Sequence, residues 1–329
     1  MNPVALLGLP ALEDELQRLE PLLVESVLTG DDFLDGATTH LLTAGGKRLR
    51  PTLSLATATS GSRSATREDL LGAVAVELVH LASLYHDDVI DEATVRRNVE
   101  SVNARFGNLV AIVAGDFLLA RSAEIAAGLG TEIAQLLAAT LGELCHGQIT
   151  ELHSAFQLSR SREDYVDAIT GKTASLMATS CRIGALTGDL PRSEVEAVTA
   201  FGRGFGMVFQ IRDDILDVIG SQAALGKPAG QDLAEGVYTL PVLIALDDPG
   251  VGPELRPLLG QPLEAAERDV AREMVANSGA IAESVDVARQ YAADATAALA
   301  GLSMVPAAGL SSLARSLVED LPTALDTRA

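Results

Sequence analysis

From Glu68 to Asp91 the chain reads "EDLLGAVAVELVHLASLYHDDVID", apolar on every side of a helix through "LLGAVAVELVHLASLY". A helix without a polar face is stable where other helices surround it. The stretch therefore predicts a central helix inside a large helical bundle. Its polar exceptions, Glu77, His80 and the terminal aspartates, must face a cavity or find buried partners, because an unpaired polar group in an apolar interior is strongly destabilising.

The rest of the chain agrees. Ala, Leu and Glu dominate, aromatics are 3%, and breaks such as "TSGSRSAT", "GLGT" and "ALTGDLPRS" cut the sequence into helix-length pieces. No alternating strand pattern is present, so the expected fold class is all-α. No linker divides the chain before about residue 247, and one domain over residues 1–329 is expected. Beyond "DDPGVGPELRPLLGQPL" three helical stretches follow, with Leu310, Leu313, Leu317 and Leu321 at helical spacing as packing residues.

A net charge of −21 opposes nucleic acid and anionic lipid over most of the surface, so any phosphate site must be local. Cys145 and Cys181, the only cysteines, are too few for a disulfide framework and fit a reducing compartment. The N-terminus lacks the basic region of a signal peptide, and charges interrupt every long apolar run. The expectation is a cytoplasmic protein with no transmembrane segment and no nucleic-acid partner.

Two aspartate clusters end long apolar runs: "DDVID" at Asp87, Asp88 and Asp91, and "DDILD" at Asp213, Asp214 and Asp217. Positions three and four apart share a helix face, so these carboxylates repel unless a cation lies between them. An all-oxygen donor set suits Mg²⁺, which takes one or two carboxylates and completes its shell with substrate phosphate oxygens. A third cluster, "DDFLD" at Asp31 to Asp35, follows Thr29-Gly30 and reads as helix capping.

The scarce cations point to those phosphates. "GGKRLRP", Gly45 to Pro51, places three cations within four positions between a helix-ending Gly pair and a helix-starting proline. Lys47 offers a point charge, and Arg50 a fork matched to phosphate oxygens. Arg96-Arg97, Lys172 in "GKTASL" and Lys227 in "GKPAGQDL" add cations, the two lysines beside glycines. Together they describe two anionic groups, one bridged to aspartates by metal and one held by bare cations.

"GGKRLRP", "HLASLYHDDVIDEATVRR", "GKTASL", "FQIRDDILD" and "GKPAGQDLAEGVYTLP" stand in the order and spacing of the trans-type polyprenyl diphosphate synthases, which this chain resembles over nearly its whole length. The resemblance implies an all-α bundle of the isoprenoid synthase type, usually homodimeric, with both aspartate clusters lining a deep central cavity. It implies that Lys47, Arg50, His80 and Arg97 hold isopentenyl diphosphate. Arg96, Lys172, Thr173, Gln210 and Lys227 would hold the allylic diphosphate. Asp87, Asp88, Asp91, Asp213, Asp214 and Asp217 would hold Mg²⁺, three ions per active site, and Lys172 and Lys227 join them as catalytic residues. Many relatives carry a lysine after "EG"; this chain has Val237.

The implied reaction is head-to-tail condensation of isopentenyl diphosphate onto an allylic carbocation, with the product passed to a membrane. A class I terpene cyclase needs no second diphosphate site, so "GGKRLRP" and Arg97 argue against it. A non-catalytic subunit would have eroded aspartates, and a simple divalent-cation binder leaves the basic residues idle. Val79, Ala82 and Ser83, all small, lie within eight residues before Asp87, where short-chain relatives place an aromatic. A product of about six to ten isoprene units is therefore expected, as for a quinone side chain, with the cavity floor deeper, around Phe117 or Leu136 to Leu144. A short-chain synthase is the alternative.

Overall fold

A computed structural model describes residues 2–60, 63–220, 229–303, 306–319 and 321. Its main helices in the first two thirds of the chain are α1 (Pro3–Leu7), α2 (Leu12–Val27), α3 (Asp32–Thr43), α4 (Leu49–Thr59), α5 (Arg67–Ile90), α6 (Val102–Phe106), α7 (Asn108–Leu129), α8 (Thr131–Ser154), α9 (Arg162–Ile169), α10 (Ser175–Thr187) and α11 (Arg192–Ile219). A single π turn, Thr170–Ala174, joins α9 to α10. Among the described residues the one sheet is a two-residue antiparallel ladder, Val95–Arg96 with Val99–Glu100, so the protein is all-α. The described residues fall into two compact units. One gathers those of Met1–Leu141, Leu176–Thr199 and Gly301–Leu310; the other, those of Gly142–Ser175, Ala200–Ala300 and Ser311–Ala329.

In the first unit α5 is the enclosed helix that its sequence predicts. A reciprocal capping box starts it: Thr66 Oγ1 accepts from Asp69 N at 3.2 Å, and Asp69 Oδ2 accepts from Thr66 N at 2.8 Å. Every residue from Gly72 to Val79 is buried. Truncating a fully buried leucine such as Leu78 or Leu81 to alanine removes about 2–5 kcal/mol of stability. Helix α7 lies against α5, with Ser122 Oγ donating to Ala75 O at 2.7 Å. Helices α4 and α10 meet where Thr57 Oγ1 donates to Cys181 O at 3.0 Å.

The "DDFLD" cluster is a cap. Asp31 Oδ1 accepts from Phe33 N and Leu34 N, both at 3.0 Å, and Asp35 accepts from Thr29 and Gly30, which holds its carboxyl below the usual range. The small ladder was not visible as a strand pattern, because two residues per strand leave no alternation to read. Its turn places Arg97 and Asn98 at φ 53° and 63°, the left-handed pair of a tight hairpin.

The second unit carries α9, the π turn and the longer part of α11. Tyr165, Phe201, Phe205 and Tyr238 fill its core, the two phenylalanines stacked with centroids 5.8 Å apart. Helices Leu240–Asp247, Ala265–Ala276 and Ala280–Ala298 also belong to it, as does most of the helix Ala307–Glu319. Leu310, Leu313, Leu317 and Leu321 are all buried, as packing residues should be. No helix among the described residues is long and apolar enough to cross a membrane.

Candidate active site

The "GGKRLRP" loop connects α3 to α4, and its three cations have different surroundings. Arg48 is nearly buried: its Nε and Nη2 grip Glu20 at 2.7 and 2.9 Å, Nη1 reaches Glu77 Oε1 at 2.9 Å, and Nη2 also donates to Leu42 O. It is a structural residue. Glu77, the carboxylate anomalous in an apolar helix, is the anion that receives it. Burial raises the Glu77 carboxyl, against the lowering pull of Arg48, Arg50 and Arg97. Lys47 is exposed. Arg50 is partly accessible, yet its buried Nε has no hydrogen-bond partner, and burial brings its guanidinium down to about 10.

Arg97 reaches this loop from the hairpin. It donates to Gly45 O and, at 3.1 Å, to Leu41 O, and its guanidinium lies flat on Gly46, where a Cβ would stand 2.9 Å from it. That approach is what the second glycine permits. His80 stands among these cations. Burial first, then Arg50, Arg97, Arg96 and Arg48, hold its imidazole well below its ordinary range, so it is neutral. Lys47, Arg50, His80 and Arg97 thus belong to one unit, and the charges of Arg50 and Arg97 both bear on His80.

The last turn of α5 separates its aspartates by exposure. Asp91 is exposed and Asp87 half-buried, whereas Asp88 is fully buried, with Oδ1 held by Arg96 Nε at 2.7 Å and Nη2 at 2.6 Å. Asp88 Oδ2 is buried without a partner. Burial raises the Asp88 carboxyl, with Arg96 working in the opposite direction. Arg96, expected on the allylic diphosphate, is therefore engaged by Asp88.

The accessible stripe of α5 continues back from Asp87 through Leu84 and Ser83 to His80. Val79 and Ala82, expected to line the product cavity, are fully buried. Four-residue steps drift by about 40° each, so by position 79 the side chain has left the Asp87 face. Val79 and Ala82 lie four and seven residues beyond Ala75, on the side that α7 covers. Ser83 alone of the three presents surface, its Oγ donating to His80 O at 2.8 Å. Phe117, named as a candidate floor, is half-buried on α7.

In the second unit the π turn presents Lys172 and Thr173. Lys172 Nζ pairs with Glu151 Oε1 at 2.5 Å, and Thr173 Oγ1 donates to Gln210 Oε1 at 2.8 Å. Helix α11 approaches because position 206 is glycine: a Cβ there would lie 2.5 Å from Ala174 Cα. The second aspartate cluster separates as the first does. Asp213 is exposed; Asp214 and Asp217 are buried, with Asp217 Oδ2 accepting from Asp232 N at 3.3 Å. Asp214 is held on both oxygens, by Tyr165 and Gln210, and burial raises its carboxyl to about 7. Lys227 lies outside the described residues.

Six aspartates with equal standing by spacing thus divide into Asp87, Asp91 and Asp213, which are accessible, and three that are buried. Among the described residues no three His, Cys, Asp or Glu side chains already form a metal site. Accessible carboxylate oxygens suit a hard ion that takes one or two carboxylates and shares the rest of its shell with phosphate. Glu77, Arg48, Glu151, Arg160 and Tyr165 are contributors that motif spacing did not assign. Glu77 left a trace as a charge in an apolar helix; Tyr165 left none.

Comparison with known proteins supports the same chemistry. The chain matches the Polyprenyl synthetase family over residues 31–276. It is 41% identical over 300 residues to heptaprenyl diphosphate synthase component 2 of Geobacillus stearothermophilus, covering 91% of this chain and 93% of the relative. It is 38% identical over 298 residues to nonaprenyl diphosphate synthase of Mycobacterium tuberculosis, covering 90% and 89%. The crystal structure of geranylgeranyl pyrophosphate synthase from Corynebacterium glutamicum, complexed with calcium and isoprenyl diphosphate, superposes with a TM-score of 0.82 at 38% identity, covering 94% of this chain and 96% of that one. Ordered motifs, an all-α fold and a match that runs through both units lead to one statement: this chain is a prenyltransferase and belongs to the polyprenyl synthetase family.

Proposed function

We propose that the chain, working as one polyprenyl synthase domain, is a Mg²⁺-dependent all-trans polyprenyl diphosphate synthase. It extends an allylic diphosphate with isopentenyl diphosphate to a medium or long product for a quinone side chain. The observation that carries the reading is the cation group around His80: Arg50 with an unpartnered buried donor, Arg97 flat on Gly46, and Lys47 exposed beside them. A second, metal-free diphosphate grip is what a synthase needs and a cyclase does not. Incubating the protein with an allylic diphosphate, labelled isopentenyl diphosphate and Mg²⁺ tests it; no labelled prenyl product would refute it.

Asp87, Asp91 and Asp213 are the proposed metal ligands. Bound magnesium would polarise the allylic diphosphate and stabilise it as a leaving group. Arg50, Lys47 and Arg97 bind the isopentenyl diphosphate oxygens, and neutral His80 contributes a hydrogen bond instead of a charge. Thr173 and Gln210 turn dipoles toward the developing allylic cation, and Lys172 binds the allylic diphosphate. Cytoplasmic location, transfer of the product to a membrane and a homodimer complete the reading. The homodimer rests on α7, which displays Leu109 at 81% exposure together with exposed Ile112 and Val113.

The family contains short-chain and long-chain enzymes, and Ser83 is the position that discriminates here. The parent enzyme should give products of about six to ten isoprene units, because Ser83, four residues below Asp87 on the accessible stripe, is small. Ser83→Phe, which loses only a local bond to His80 O, should shorten them. Chromatography of the dephosphorylated alcohols decides it: fifteen- or twenty-carbon alcohols as the main species from the parent would overturn the chain-length assignment.

Position 237 gives a separate test. Val237 is partly exposed and its backbone N–H donates to Asp232 O at 2.8 Å, a bond that any residue but proline keeps. V237K should lower the allylic KM by about twofold to fivefold, the worth of one accessible charge. An unchanged or higher KM means that position 237 does not face the allylic diphosphate.

A further inference from the structure

Tyr165 has no part in the chemistry described so far. It is 1% exposed on α9, and its hydroxyl donates to Asp214 Oδ2 at 2.5 Å. Asp214 Oδ1 accepts from Gln210 Nε2 at 2.8 Å, and Gln210 Oε1 accepts from Thr173 Oγ1 at 2.8 Å. On the other side, the guanidinium carbon of Arg160 lies 5.7 Å from the centroid of the Tyr165 ring, and Arg160 Nη1 donates to Tyr238 O at 3.0 Å. These groups all belong to the second unit and join α9, the π turn and α11 into one chain of contacts.

The direction of each bond follows from proton inventory. An amide NH₂ can only donate, so Gln210 Nε2 gives its proton to Asp214 Oδ1, while the Tyr165 hydroxyl donates to Oδ2. The Gln210 amide is then fixed with its NH₂ on Asp214 and its carbonyl on Thr173. Thr173 has one hydroxyl proton, and the carbonyl takes it. What Thr173 has left to offer is lone pairs. Lone pairs suit a carbon that becomes positive, whereas a phosphate oxygen would need the proton that Thr173 has already given away.

We propose that Tyr165 is a positioning residue for ionisation of the allylic substrate: by donating to Asp214 it fixes Gln210, and through Gln210 it turns the lone pairs of Thr173, and no proton, toward the allylic carbon. This rests on the reading of Thr173 and Gln210 as neighbours of the allylic substrate. Asp214 then acts through hydrogen bonds to protein, with both of its oxygens already engaged.

Tyr165→Phe tests the proposal because it keeps the ring beneath Arg160 and deletes only the hydroxyl. Expected is a fall in kcat of about tenfold or more, with the KM for isopentenyl diphosphate within about twofold of the parent's. Asp214→Asn leaves one acceptor oxygen where two donors, Tyr165 and Gln210, each had their own, and so breaks the same chain from its centre. Its kcat should fall comparably while the Mg²⁺ concentration for half-maximal activity stays within about twofold, since the relay does not touch the metal. The double variant should be no slower than the slower single, because one relay can be broken only once.

A Tyr165→Phe enzyme at parental kcat, multiplying losses in the double variant, or an Asp214→Asn enzyme that needs much more Mg²⁺ would each overturn the relay. If Tyr165→Phe loses its helical circular dichroism, Asp214→Asn and the pair Thr173→Ser and Thr173→Val decide alone: the serine variant should retain kcat and the valine variant lose it. A parent that fails to condense the two diphosphates refutes the proposed function itself. A parent that succeeds beside an unaffected Tyr165→Phe refutes only the relay.

Discussion

Asp87→Ala and Asp213→Ala should each lower kcat by about 10²–10³-fold, the effect of removing one preorganised stabiliser of developing charge. Neither change should disturb the helices. Asp213 is exposed, and the last turn of α5 is closed by backbone, with Asp91 N donating to Asp87 O at 2.8 Å. Alanine is also a better helix former than aspartate. Circular dichroism and thermal unfolding should therefore match the parent while turnover collapses. Excess chelator should abolish activity of the parent, and added Mg²⁺ should restore it. Near-parental turnover in either variant would remove that aspartate from the metal. Asp88→Ala is a poor substitute for this test, since it strands Arg96 beside a buried gap and mixes folding with chemistry.

The fold was legible because one helix dictated it. Residues 68 to 91 could be stable only when enclosed, and α5, Arg67–Ile90, is enclosed from Gly72 to Val79. The capping role of "DDFLD" was equally visible, since Thr29-Gly30 ahead of it marks a helix start. What spacing did not show was the division within each aspartate cluster. Three- and four-residue spacing places carboxylates on one face but says nothing of what stands opposite them. Arg96 opposite Asp88 comes from the hairpin and Tyr165 opposite Asp214 from α9, while Gln210 stands one turn before Asp214 on α11 itself.

The same limit applies to the cations. In "GGKRLRP" the sequence shows three positive charges, and only the partners Glu20 and Glu77 reveal that Arg48 is structural. The turn matters as well: Arg48 sits at φ 45°, a left-handed conformation that no residue-type preference announced. Helical periodicity overreached at Val79, where drift over two steps was enough to carry a side chain from the open stripe into the core.

Arg50→Ala should raise the KM for isopentenyl diphosphate by about 10–100-fold, the equivalent of one or more charge-assisted hydrogen bonds at about 1.5–3 kcal/mol each. The allylic KM should move by less than about threefold, because the allylic diphosphate is assigned to metal and Lys172. Arg50 is the sharpest probe of this site because of what it lacks. Its Nε is buried with no partner in the protein, a donor left for water or a ligand to satisfy. Arg48 remains to neutralise Glu77, so the variant leaves no buried carboxylate unpaired. Arg50→Lys should recover only part of the loss, since an ammonium restores the charge without the planar fork. Lys47→Ala should show the same bias more weakly, its side chain being exposed and screened by water. Initial rates with each substrate varied at saturation of the other decide the matter. Equal rises in both KM values would mean that the loop does not distinguish the two diphosphates, and the assignment of the metal-free site to these cations would fail.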